Sequence, residues 1–239
     1  MRIRRLAALI LSLLPLAAAA DSDDIDELQN RLGKDWVEVR DDRLHGIRTW
    51  IKQEDHRRFR SFKVDAVLDG SLEAYARVLL DFDNYRKWYW EVMESRLLKK
   101  VSPTEYYVYL RHRTPYGIPN RDVVLHATVE PQARGRNWVT LTVKADPDYM
   151  DARPPLVRMA AEDMVSRFTP LPGNKVHVEI EGYVDPGGKV PAWANNFVQR
   201  AAPYSIMLSM QRMLDNDIYT SGRIPLPFPI LGPEMTSMR

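Results

Sequence analysis

Few side chains in this 239-residue chain have a type and spacing that could do chemistry, and they limit the classes open to it. No Gly-x-Ser-x-Gly elbow, phosphate-binding loop or dinucleotide fingerprint occurs. Cys is absent, which removes thiolate metal sites, a thiol nucleophile and disulfides. His45, His56, His126 and His177 have no metal-ligand spacing along the chain. Asp146, Asp148 and Asp151 lack the glycine and closing glutamate of a calcium hand. No catalytic constellation, metal or cofactor is therefore expected. Three features remain. His112 lies on an apolar strand face, where it either donates to a ligand or is a satisfied core residue. Arg121-Asp122 either binds an anionic group or forms a salt bridge at a strand start. Phe82, Tyr85 and Trp88-Tyr89-Trp90 either line an opening or touch a bilayer, where amphipathic rings prefer to sit, or pack a helix end on a sheet.

The elements that must position these residues follow from periodicity. Trp36 to Arg40 and Gly46 to Gln53 read as an edge hairpin, and Phe62, Val64, Ala66 and Leu68 alternate as a half-buried strand. Asp69-Gly70-Ser71 turns the chain, and Ser71 caps a helix to about Leu80. Strand signals then run from Met93 to Val101, Glu105 to Arg113, Arg121 to Glu130 and Asn137 to Ala145, with an irregular extended stretch from Leu156 to Pro170 and a last strand from Val176 to Val184. The inner parity carries Tyr106, Val108, Leu110 and His112, then Val123, Leu125, Ala127 and Val129, then Val139, Leu141 and Val143. Pro186 and Gly187-Gly188 end the last strand, and Pro191 is placed as a first helical residue. Beyond it Trp193, Phe197, Ala201, Tyr204 and Leu208 recur at helical spacing, widened by Met207, Met210 and Met213 and interrupted by Pro203. The sum is an α+β layout: a many-stranded antiparallel sheet closed by one long helix. A sheet of this size twists and curls, and its concave face needs that helix as a cover.

Three local patterns carry a family likeness: Val78-Leu79-Leu80-Asp81 leading through Tyr85 to Trp88, the strand start Asn120-Arg121-Asp122-Val123-Val124, and Gly-Gly-Lys-Val-Pro-Ala-Trp before the last helix, with Asn196. In this order, over about Asp35 to Asn216, the chain resembles START domains, the lipid-transfer modules of the helix-grip superfamily. The resemblance implies a curved sheet gripping the C-terminal helix around a tunnel for one lipid, in a monomer that touches membranes transiently. It also implies a ligand wall of Tyr106, Val108, Leu110, His112, Val123, Leu125 and Ala127 from the sheet and Trp193, Phe197, Tyr204 and Met207 from the helix. The acidic residue and arginine that sterol-binding members place in the cavity fall at Val108 and Ala127, so a more apolar tunnel is expected, with His112 its inward polar group. An enzyme of the same superfamily, a cyclase or hydrolase, would need paired polar groups aimed into the cavity. A lipid-sensing interaction module is the other alternative.

Arg2, Arg4 and Arg5, the apolar run Leu6 to Leu16 and Ala17 to Ala20 form the three-part pattern of a secretory signal peptide. The expected organisation is a leader over 1–20, a lipid-binding domain over 21–220 and a Pro-rich tail over 221–239, extended on the surface. The 34 basic residues less the three of the leader, against 32 acidic ones, leave a mature balance of about −1, without the basic surplus that nucleic acid requires. The expected location is periplasmic or secreted. N-terminal sequencing of protein from its own host should begin at Asp21; recovery of Met1 would refute the cleavage.

Overall fold

The computed structural model describes residues 35–115 and 117–232, with the side chains of 192–197 outside that set. The leader therefore lies outside the described residues, as does Asp23 to Leu32, where an Asp23 cap and a Gly33 stop predict a short helix. A ten-stranded sheet runs in the order β1-β2-β3-β10-β9-β7-β6-β5-β4, with the short β8 beside β6. Its strands are β1 Val37–Asp42, β2 Ile47–Lys52, β3 Ser61–Asp69, β4 Val92–Ser102, β5 Glu105–His112, β6 Arg121–Glu130, β7 Val139–Ala145, β8 Val157–Arg158, β9 Ala161–Leu171 and β10 Lys175–Asp185. All neighbouring pairs are antiparallel except β6 with β8. Helix α1 spans Leu72–Leu80 and α2 spans Ala192–Arg212.

Two expectations are corrected here. The stretch read as irregular from Leu156 to Pro170 contains a full eleven-residue strand, β9, paired along its whole length with β10. Its charged residues Glu162, Asp163 and Arg167 hid the period-two signal. Pro191 is the N-cap of α2 rather than its first residue, with extended backbone angles.

Curvature has local causes. Pairing between β4 and β5 shifts register at three places, and such bulges bend an edge strand and increase its twist. At Gly182, opposite Phe62, a Cβ would come within 2.6 Å of the Phe62 ring and 2.7 Å of Met164 Cγ. The absent side chain lets that ring lie against the β10 backbone. The core covers the concave face, with Val64, Ala66, Leu68, Val108, Leu110, Val123, Val176 and Val178 all within 2% of full burial.

Ser71 caps α1, its Oγ accepting from Ala74 N at 3.2 Å. The buried Arg77 at the far end donates to the Ile224 carbonyl at 2.9 Å and the Tyr219 carbonyl at 3.0 Å. Tyr219 Oη in turn donates to Asp81 at 2.7 Å. These bonds draw the chain after α2 back onto α1. The described part of the tail is accordingly not a surface strand. Phe228 is buried, and the Gln132 side-chain amide clamps the Leu231 backbone through both its oxygen and its nitrogen, at 2.7 and 3.0 Å.

The salt bridge expected at this strand start forms between Asp122 and Arg158 rather than between Arg121 and Asp122, because consecutive strand residues point to opposite faces. Asp122, fully buried, takes a two-pronged bond from Arg158, with Nε to Oδ1 at 2.9 Å and Nη2 to Oδ2 at 3.1 Å. The same guanidinium donates to the carbonyls of Pro147, Met150 and Asp151, so the acidic loop is stitched down through its backbone. Arg121 points the other way, to the carbonyls of Pro119, Pro186, Gly187 and Lys189. Removing one partner of a buried pair leaves the other uncompensated, at a cost of about 3–5 kcal/mol. Asp122→Ala should therefore lower unfolding stability by that order in chemical denaturation, while Glu130→Ala, whose partner Arg136 lies at the surface, should change it by less than about 1 kcal/mol.

Candidate functional site

A cavity of about 250 Å³ lies between the concave face of the sheet and α2. Its floor comes from Phe62 and Val64 on β3, Tyr106 and Val108 on β5, Leu125, Ala127 and Val129 on β6, Val139, Leu141 and Val143 on β7, Phe168 on β9 and Ile180 on β10. Val198, Ala202, Pro203, Ile206, Met207 and Met210 of α2 form the roof. Leu72, Ala76, Leu79 and Leu80 of α1 close one side, and Phe228 and Ile230 of the tail contribute as well. The wall is overwhelmingly hydrocarbon, a surface whose match is an apolar ligand.

Of the expected wall, Tyr106, Val108, His112, Leu125, Ala127 and Met207 line the cavity. Leu110 and Val123 do not. They pair directly across β5 and β6 and are sealed at 0% exposure inside the core. Alternation fixes the face a residue takes, not whether neighbours cover it there. Tyr204 is also displaced from the role expected of it. Its hydroxyl donates to Asp42 at 2.5 Å and its ring lies 3.6 Å from the Arg40 guanidinium, so it ties α2 to the edge strand β1. The roof of α2 is accordingly rotated from the aromatic stripe to the positions 198, 199, 202, 203, 206, 207 and 210. Trp193 and Phe197 fall outside the described side chains.

The aromatic run resolves toward packing and lining together. Phe82, Tyr85 and Trp88 are buried and, with Tyr89 and Trp90, line one end. Tyr85 meets Trp88 edge-on at 4.8 Å and stacks with Tyr89 at 5.9 Å, geometries that suit the ring quadrupole.

Polar chemistry concentrates at this end, and sequence reading missed its main member. Glu162, 2% exposed, projects from β9 into the cavity wall. Tyr89 Oη donates to its Oε1 at 2.6 Å. His112 Nε2 stands 3.5 Å from its Oε2, an ion-pair distance without a hydrogen bond, while His112 Nδ1 is 3.1 Å from the Trp90 carbonyl. Burial and the Glu162 carboxylate push the Tyr89 phenol well above its ordinary value, so it stays a donor. For His112, burial works against the charged ring, but the Glu162 carboxylate and the Trp90 carbonyl more than offset it and raise the pKa above 6.5. The period-two pattern of β9 could have placed Glu162 inward, on the parity of Met164, Ser166 and Phe168. Gln199 on α2, 7% exposed, is a further buried polar residue of the cavity wall.

Away from the cavity, Asp65, His177 and Glu179 bring ligand atoms within 4.8 Å of one another across β3 and β10, a proximity that spacing along the chain does not reveal. Both carboxylates are already paired with cations, Asp65 with Arg48 at 3.0 Å and Glu179 with Arg167 at 3.6 Å.

A raised histidine pKa stabilises the fold below the unfolded value of about 6.5 and loses that contribution as pH rises through the folded value. The melting temperature of the wild type should therefore fall from pH 6 to pH 8 relative to that of His112→Gln. Parallel curves for the two proteins would show that the His112–Glu162 pairing does not stabilise the fold.

No protein-family model matches the chain. A protein of Pseudomonas aeruginosa described as uncharacterized is 25% identical over 170 residues, 71% of this chain and 82% of the relative. Among solved structures, the STAR-related lipid transfer protein of Xanthomonas axonopodis superposes with a TM-score of 0.67 and 29% identity, over 76% of this chain and 99% of its own. Human STARD10 superposes at 0.61 with 20% identity, over 90% and 92%, a likeness of fold. A curved antiparallel sheet gripping a long C-terminal helix, shared along nearly the whole of a bacterial START structure, makes this chain a START-domain protein.

Proposed function

We propose that the protein binds one lipid in this cavity and carries it between membranes outside the cytoplasm. The observation that carries the reading is the cavity itself: an almost wholly apolar wall, roofed by a single helix with a proline at Pro203 and the thioethers Met207 and Met210 against the ligand space. The bacterial neighbour at 29% identity is titled a lipid transfer protein, and the leader pattern in residues 1–20 supports export.

The energetics suit a carrier. Burying on the order of 15 methylenes at roughly 0.8 kcal/mol each contributes about 12 kcal/mol relative to water. A lipid leaving a bilayer already has that stabilisation, so the cavity needs only to match it and no nucleotide is required. The volume of about 250 Å³ lies just under the ~300–1,000 Å³ of small-molecule sites. A space just under that range takes a whole acyl chain when α2 or its neighbouring loops move outward.

The test is lipid exchange. The mature protein should accelerate movement of a fluorescent lipid from donor to acceptor vesicles, and Ala127→Trp, which fills the floor, should reduce that rate at least tenfold without lowering the melting temperature. Were position 127 part of a filled core, overpacking would instead cost about 1–3 kcal/mol. Absence of exchange by the wild type would refute transfer. Native mass spectrometry of protein from its own host should show a bound lipid.

A further inference from the structure

We infer that the cavity selects lipids whose polar end both donates and accepts hydrogen bonds, an alcohol or a primary amide, over lipids ending in a carboxylate. This deepens the carrier reading and rests on it. Five polar atoms of cavity-lining residues are buried without a hydrogen-bond partner: Nε1 of Trp88, Nε2 and Oε1 of Gln199, Nε2 of His112 and Oε2 of Glu162. Buried polar groups are ordinarily paired, and an unpaired one costs its full desolvation. Gln199 is 7% exposed and Glu162 2%, so bulk water does not supply the partners. All four side chains line the same space; His112, Glu162 and Gln199 come from β5, β9 and α2, and Trp88 from the segment before β4.

Their bonding capacities define the complement. The Glu162 oxygen only accepts, the Trp88 nitrogen only donates, the His112 nitrogen beside Glu162 donates when the ring is charged, and the Gln199 amide does both whichever way it is turned. A hydroxyl or a carboxamide can give a hydrogen to Glu162 and take one from His112 or Gln199. A carboxylate has no hydrogen to give and would place its charge against Glu162 in a low-dielectric wall. Two guanidiniums stand on the cavity wall: Arg113, beside His112 in the chain, is exposed to solvent, where water screens its charge, and Arg121 is committed to the carbonyls of Pro119, Pro186, Gly187 and Lys189. Neither stands ready to offset such a charge.

The experiment uses the mature protein loaded with Nile red, a neutral apolar dye, and displaced in turn by dodecanol, dodecanamide and dodecanoate at neutral pH. The alcohol and the amide should displace the dye at concentrations about tenfold lower than dodecanoate, the size of effect expected for unpaired buried groups. Gln199→Leu should remove most of that advantage while dye affinity holds. Glu162→Gln should improve displacement by dodecanoate about tenfold, a gain that a purely structural glutamate would not give, and this variant carries the test if Gln199→Leu fails to fold. Equal displacement by all three compounds from the wild type would overturn the inference, meaning that ordered water satisfies these atoms, and leave the carrier reading standing. Retained preference in both folded variants would also overturn it. Failure of the dye and of every probe to bind would overturn the carrier reading itself.

Discussion

The grip of sheet on helix depends on one guanidinium. Arg121 opens β6 with its side chain turned inward, and its hydrogen bonds to Pro186, Gly187 and Lys189 hold the connection that leads from β10 into α2. A helix cannot settle over a concave sheet by apolar contact alone, since such contact is non-directional. The register of the roof is fixed by where the connection is pinned. Gly187 makes the pinning possible: with φ at +66° and a Cβ position only 2.5 Å from the Arg158 carbonyl oxygen, it tolerates no side chain. Its neighbour Asp122 takes the opposite face and recruits Arg158, so adjacent strand residues lock the helix connection on one side and the 147–151 loop on the other.

Against this frame the cavity reads as a compromise between two demands. A hydrocarbon ligand asks for uniform apolar walls, while the fold leaves an ion pair, Glu162 with His112, at one end among the rings of Tyr85, Trp88 and Tyr89. A buried pair is weak support for stability, because desolvation consumes much of the Coulombic gain. Placing it where aromatic edges and a phenol donor surround it lessens that cost, since Tyr89 already satisfies one carboxylate oxygen.

Sheet strands, the capped first helix and the closing helix were legible in sequence because each depends on local signals: alternation, Ser71, and the Pro-Gly-Gly stop before Pro191. The inward parity of β5 and β6 was legible for the same reason. What escaped was anything requiring knowledge of what lies across the cavity. Leu110 and Val123 share the parity of Val108 and Leu125 yet are covered, Tyr204 finds Asp42 from 162 positions away, and β9 was obscured by its own charges, one of which is the polar centre of the site. The aromatic stripe on α2 misled because a tyrosine with a hydroxyl to satisfy sits at a helix flank, leaving small and flexible residues to face the ligand space. The Pro-rich composition of the tail likewise said nothing of Phe228, whose partners belong to the distant wall.

That tail changes when the protein becomes competent. Phe62 on β3 and Phe228 in the tail both line the cavity, so the space is complete only after residue 228 has been made and folded back. A ligand of this cavity would not be wrapped during synthesis, as it could be by a pocket assembled from the first half of a chain. It would enter once residue 228 has joined the wall, and a chain stopped short of that residue would be left with an open wall and an exposed apolar interior.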